Sequence, residues 1–298
     1  MQWVQQSAVD CTPEECQRSY GLSIASKLNA RRPLVVLIHG LDSGPGYFND
    51  LSALLEEQGH QAARFEYPND QSIAESGKLL ARELAELQAS HSGMRLELVA
   101  HSMGALVARS YVEGPDYAGN VDRLILLAPP NHGSTYSRWT CCSEIAEHYL
   151  LWQNHPRWHW SWPFIDGIGE AGYDLQANSA FLTELNARPR REGVCYTIVA
   201  GNRSCGWRYA ARGVRLVGCC VPDFDTAADE AVRDSFTQWA FALREHPCSH
   251  DGLVAIDSAR LEGVDDFVVV PADHTTIACS RDGRPPVAWP VIKARLAR

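Results

Sequence analysis

Leu96-Glu97-Leu98-Val99-Ala100-His101-Ser102-Met103-Gly104-Ala105-Leu106-Val107-Ala108-Arg109 is the stretch whose reading decides the fold. Leu96 to Ala100 is a short apolar run of the kind a buried strand carries, and Ala105 to Arg109 has the composition of a helix. The chain therefore passes from strand to helix through His101-Ser102-Met103-Gly104. A turn that tight brings neighbouring backbone against the residues two before and two after the serine, where only small side chains fit. Ala100 and Gly104 occupy those positions. Such a turn lifts the Ser102 hydroxyl above the sheet and aims the N-terminal amides of the following helix at it, where developing negative charge is stabilised. Strand, turn and helix in this order read as a nucleophile elbow rather than as a serine in an ordinary turn.

Outward from the elbow, Leu34 to Ile38, Ala62 to Tyr67, Leu124 to Ala128, Tyr196 to Ala200 and Phe267 to Val270 repeat the strand pattern of Leu96 to Ala100, which makes six central strands. Helical periods lie between them. Phe48, Leu51, Leu54 and Leu55 mark a helix that Gly59 should end. Ser72 and Glu75 form a capping box for a helix that buries Ile73, Leu80, Leu84 and Leu87, and Val232, Phe236, Trp239 and Leu243 stripe a later one. Strands alternating with helices predict an α/β domain with a mostly parallel sheet. The 298 residues, 45% of them apolar, supply a sizeable core. The net charge of −9, with no cluster of Lys and Arg, excludes nucleic acid as a partner and disfavours acidic membranes. No apolar run approaches the roughly 18 to 20 residues needed to span a bilayer.

The Ala100-His101-Ser102-Met103-Gly104 elbow resembles that of the α/β-hydrolase family, and within it the bacterial true lipases and related esterases whose elbow reads Gly or Ala, then His-Ser-Met-Gly. The resemblance implies an α/β-hydrolase fold over residues 1–298 as a single domain, a mostly parallel sheet flanked by helices, and hydrolysis of small-molecule or lipid esters through an acyl-enzyme. His39-Gly40-Leu41 resembles the family's oxyanion loop, so that the Leu41 and Met103 amides would bind the oxyanion, with His39 structural. A serine hydroxyl needs a base to take its proton and a carboxylate to orient that base. The family's chain order is Ser, acid, His, and Asp251-Gly252-Leu253-Val254 and Asp273-His274-Thr275-Thr276 fit it, with Asp251 as orienter and His274 as base. Asp223, Asp225, Asp229, Asp234, Asp257 and Asp273 are competing acids. His101 is expected to pack or hydrogen-bond locally, and His132, in the loop after a strand, to be structural. The same constellation would also serve an acyltransferase, and a scaffold kept for binding alone is a third reading.

Residues 133–173 contribute no strand pattern and concentrate Trp139, Trp152, Trp158, Trp160, Trp162 and Phe164, the composition of a cap or lid. Trp152, Trp158, Trp160 and Trp162 are candidate contacts for an acyl chain or, transiently, a lipid interface. Ser179, Phe181, Leu182, Leu185 and Asn186 resemble the short helix that follows the lid. No organic cofactor is implied. His155 and His159 share a helical face without a third metal ligand, and Thr275 to Ala278 lack the Asp that calcium-binding lipases carry after the histidine. The ten cysteines have no zinc-type spacing and point to disulfides and a secreted or periplasmic location, although Met1 to Ser7 carry no apolar signal-like run. Cys248 and Cys279 bracket Asp251 and His274, and a bond between them would fasten both loops.

Overall fold

Leu34-Val35-Val36-Leu37-Ile38 is apolar on both sides of its two-residue alternation, so a strand made from it must be covered on both faces. The computed structural model describes residues 20–24, 27–41, 43–44, 46–68, 71–134, 170–203 and 249–297. There this run is β2 (Leu34–Ile38), with every side chain fully buried. The other strands are β1 (Gly21–Ile24), β3 (Gln61–Glu66), β4 (Leu96–His101), β5 (Val121–Leu127), β6 (Cys195–Gly201) and β7 (Phe267–Val270). They form a seven-stranded sheet in the order β1-β3-β2-β4-β5-β6-β7. All neighbours are parallel except β1, which runs antiparallel to β3. Ile38 pairs with Ala100 and Ala100 with Leu126, so the carboxyl ends of the three central strands meet at one edge, where the elbow begins.

Alternation along the strands divides the core into two layers. Leu34, Val36, Ile38, Leu98, Leu124 and Leu126 face one side, and Val35, Leu37, Val99, Ile125 and Leu127 face the other. The second side is covered by α1 (Asn49–Glu57) through Leu51 and Leu55 and by a C-terminal helix, Trp289–Leu296, through Ile292 and Leu296. The first side is covered by α2 (Ile73–Ser90), α3 (Met103–Val112) and a helix over Ala180–Ala187. In chain order the remaining helices are α4 (Glu170–Asp174), α5 (Ala180–Ala187), α6 (Ile256–Ala259) and α7 (Trp289–Leu296). Gly59, with φ +82°, ends the first helix as expected. Of the capping box, one half forms: the Ser72 hydroxyl accepts from the Glu75 amide at 3.3 Å, while the Glu75 carboxylate accepts from Lys78 at 2.6 Å.

The six expected strands are all present, with differences that have physical causes. β1 is an addition. Gly-Leu-Ser-Ile carries no apolar run, and its strand state comes from pairing with the free edge of β3. β5 starts three residues early because Arg123 ion-pairs with Glu97 on β4 at 3.2 Å, which admits charged residues to the sheet. β7 borders the described sheet rather than lying centrally, and Val269 is 42% exposed. The short helix expected over Ser179 to Asn186 is α5, capped by the Ser179 hydroxyl, which accepts from the Leu182 amide at 3.1 Å. The Val232 to Leu243 stripe, and residues 135–169 of the expected cap with Trp152, Trp158, Trp160 and Trp162, lie outside the described residues.

α3 carries one charge through the core. Arg109 is fully buried, and its guanidinium donates to Glu113 at 3.1 and 3.2 Å, to Asn131 at 2.9 Å and to Asn186 at 3.0 Å, tying α3 to the loop after β5 and to α5. Arg190 also reaches Glu113, at 3.1 Å. Removing one partner of a buried charge network leaves the others desolvated and uncompensated. Arg109→Met is therefore expected to lower stability by about 3 to 5 kcal/mol, measured by urea unfolding at neutral pH.

Candidate active site

The elbow forms because β4 must give way to α3 within one residue. Ser102 takes φ 53° and ψ −125°, a strained conformation for a residue with a Cβ, and is held there by its amide, which donates to the Leu127 carbonyl at 2.9 Å. The turn presses α3 onto the end of β2. A Cβ at Gly104 would lie 2.1 Å from the His39 carbonyl oxygen, and one at Gly40 would lie 2.9 Å from the Ser102 Cβ. Glycine at both positions follows from that approach, which sets the His39-Gly40-Leu41 segment beside Ser102. Among the described residues, the Leu41 and Met103 amides donate to no protein acceptor.

Asp251, His274 and Ser102 come together. The His274 Nδ1–H donates to Asp251 Oδ2 at 2.8 Å, and the Ser102 hydroxyl donates to His274 Nε2 at 2.8 Å. The roles of the two ring nitrogens follow from their partners, since a carboxylate accepts only. Asp251 is 2% exposed and its other oxygen accepts from the Leu253 and Val254 amides at 2.9 and 2.8 Å, so the Asp-Gly-Leu-Val turn itself orients the carboxylate. The His274 amide donates to the Asp251 carbonyl at 3.0 Å, joining the two loops through backbone as well. Asp273 spends its carboxylate on the Thr275 and Thr276 amides and the Thr276 hydroxyl, and the Asp257 side chain is 98% exposed. Asp223, Asp225, Asp229 and Asp234 lie outside the described residues.

No protein-family model matches the chain, and no curated protein matches it. Solved structures do. The mature form of the Bacillus licheniformis lipase BlEst2 is similar over 92% of this chain and 95% of its own, with TM-score 0.58 and 21% identity. EstA from Clostridium botulinum is similar over 99% of this chain and 96% of its own, with TM-score 0.56 and 13% identity. The phospholipase PlaB from Legionella pneumophila is matched over 55% of its length and 86% of this chain, with TM-score 0.56 and 14% identity. The fold is that of the α/β-hydrolases. At these identities the likeness establishes the architecture.

Within this α/β-hydrolase fold, three further histidines have distinct surroundings. His39 is buried, stacked on Tyr67 with ring centroids 4.5 Å apart, and its Nδ1–H donates to the Gly40 carbonyl at 2.9 Å. His101 departs from expectation. Its bonds are not local but run to the Tyr47 hydroxyl at 3.0 Å and to the His274 carbonyl, 173 residues away, at 2.8 Å. His132 is held by backbone, its amide donating to the Ser258 carbonyl at 3.0 Å. The Cys248–Cys279 bond finds no support, because Cys279 is a free thiol that donates to the Tyr47 carbonyl at 3.6 Å; Cys248 lies outside the described residues. Among the described residues no three His, Cys, Asp or Glu side chains are grouped to hold a metal ion; His155 and His159 lie outside them. No described helix is long and apolar enough to cross a membrane.

Next to Gly40, His39 Nε2 lies 3.6 Å from Glu66 Oε2. Burial pushes His39 down to about 4 and Glu66 up to about 7, so near neutral pH the ring is uncharged and the carboxyl is close to half protonated. Between the ordinary carboxylate value of 4.5 and about 7 the folded chain holds a proton at Glu66 that the unfolded chain has lost, so this group makes stability fall as pH rises through that window. Glu66→Gln removes that loss. The variant is expected to gain about 3 kcal/mol relative to the parent between pH 4 and pH 8, read from urea unfolding at both values.

Proposed function

We propose that the protein is a serine carboxylic-ester hydrolase working through an acyl-enzyme. The observation that carries this reading is the continuous chain of two 2.8 Å hydrogen bonds from Ser102 through His274 to the buried Asp251. Ser102 Oγ attacks the ester carbonyl carbon as its proton passes to His274 Nε2, and the imidazolium that forms is stabilised by the Asp251 carboxylate, which stays ionised. The tetrahedral oxyanion is received by the Leu41 and Met103 amides, helped by the amino end of α3. The C–O bond to the alcohol breaks, with His274 Nε2–H protonating the departing oxygen. Water then gives a proton to His274 Nε2 as it attacks the acyl carbon, and the bond from that carbon to Ser102 Oγ breaks as His274 returns the proton to Oγ, releasing the carboxylic acid.

Similarity to the BlEst2 lipase and the PlaB phospholipase supports an ester substrate. The aromatic composition of the 133–173 segment, proposed as a cap on a single domain, supports an apolar acyl group, with Trp152, Trp158, Trp160 and Trp162 as its contacts and a lipid surface as a transient one. The ten cysteines favour a secreted or periplasmic setting.

Ser102→Ala is expected to lower kcat/KM for p-nitrophenyl butyrate by about 10⁴ to 10⁶. A fluorophosphonate should label Ser102 in the parent and label His274→Ala far more slowly. Unchanged turnover in Ser102→Ala would remove the proposal. In a series of p-nitrophenyl esters from acetate to octanoate, each buried methylene is worth about 0.8 kcal/mol, or about fourfold in kcat/KM. A profile that rises along the series supports an apolar acyl pocket, and a flat one rejects it. Release of free acid when glycerol is offered as a competing acceptor distinguishes hydrolysis from acyl transfer.

A further inference from the structure

His274 uses all of its polar groups. Its ring engages Asp251 and Ser102, its amide donates to the Asp251 carbonyl, and its own carbonyl accepts from His101 Nε2 at 2.8 Å. Three of these four bonds do not involve Ser102. That matters chemically, because once Ser102 Oγ is acylated it has no proton to donate, and His274 must keep its place for the attacking water through its remaining contacts. The His101 contact comes from the elbow itself, one residue before the serine, so it references the base loop directly to the nucleophile.

We propose that His101, oriented by Tyr47, is a positioning residue that sets the His274 loop over Ser102 by donating a neutral Nε2–H to the His274 carbonyl. This rests on the reading of Ser102 and His274 as nucleophile and base. A carbonyl oxygen can only accept, so Nε2 carries the hydrogen, and in a neutral imidazole Nδ1 is then a lone pair that the Tyr47 hydroxyl, 3.0 Å away, satisfies. The Tyr47 ring stacks on His101 at 5.3 Å between centroids and 19° between planes, which fixes the ring's rotation. The tyrosine is held in turn by the Cys279 thiol on its carbonyl, five residues beyond His274. The segment after the oxyanion loop, the elbow and the base loop are thereby closed into one cycle. Neutrality serves the chemistry: the His101 and His274 ring centroids are 4.8 Å apart, so a charged His101 would oppose the imidazolium that forms on His274. Burial, followed by the neighbouring His274, holds His101 well below the ordinary histidine value.

The test uses the full chain, p-nitrophenyl butyrate, and active sites counted by fluorophosphonate titration, so that misfolded protein does not enter the rate. His101→Leu is expected to lower kcat per titrated site by about 10- to 100-fold with KM within about twofold, as misplacement of a catalytic group does. His101→Gln, whose side-chain amide offers an N–H to the same carbonyl, should recover to within about fivefold of the parent kcat. Parental kcat in His101→Leu, or His101→Gln no better than His101→Leu, overturns the proposal. A second readout needs neither folding of a variant nor turnover: long-range ¹H–¹⁵N correlation of the parent at pH 7 should show His101 as the neutral Nε2–H tautomer, and an Nδ1–H or doubly protonated ring overturns the proposal. A parent chain that hydrolyses no ester while showing this tautomer would count against the hydrolase reading and leave the His101 geometry standing.

Discussion

The close approach of α3 to the end of β2 is the constraint on which the rest of the site depends. Two backbone segments meet at a distance that leaves no room for a Cβ at Gly104, and the chain can make that approach only if Ser102 adopts a positive φ. Such a conformation costs on the order of 1 to 3 kcal/mol and persists because the surroundings over-determine it. Here those surroundings are the Leu127 carbonyl that takes the Ser102 amide, the fully buried Ala100 and Met103 on either side, and the parallel pairing of β4 with β2 and β5. In return the serine is raised above the carboxyl edge of the sheet, and the His39-Gly40-Leu41 segment is brought against it.

Around this point several polar side chains are kept out of water. Arg109, on the helix that follows Ser102, joins Glu113 just beyond it to Asn131 and Asn186; His39 and Glu66 meet beside Gly40; the partly buried Tyr47 and the buried His101 lie behind His274. Each set ties together segments distant in sequence. Buried polar groups are expensive unless bonded, so each such set accepts few alternative arrangements, whereas an apolar contact of the same size would tolerate sliding. The apolar layers supply the driving force for the sheet and its helices, and the polar sets hold its loops in register with one another.

Much of this was legible in the sequence where the signal is local. Apolar runs marked six strands, the small residues around Ser102 marked the elbow, and Asp251-Gly252-Leu253-Val254 placed a carboxylate in a turn that binds it through its own amides. Other features were not legible. Gly21–Ile24 has no strand pattern of its own and becomes one at an edge; Asp122 and Arg123 hid the start of β5 until Glu97 was beside them; Glu75 chose Lys78 over the capping box. His101 read as a local packing residue because its partner lies 173 positions later, and Cys279 read as half of a disulfide because its nearness to Tyr47 has no trace in the spacing of cysteines.

By itself, then, the sequence determined the type and order of the elements and the identities of the nucleophile, acid and base candidates, because hydrophobic period, turn chemistry and chain order are properties of neighbouring residues. Only the tertiary structure decided which carboxylate faces His274, where His101 spends its two nitrogens, and that Arg109 belongs to the core. These are choices among several chemically equivalent partners. A hydrogen bond depends on distances of a few tenths of an ångström between groups far apart in the chain, and folding alone brings them within that range.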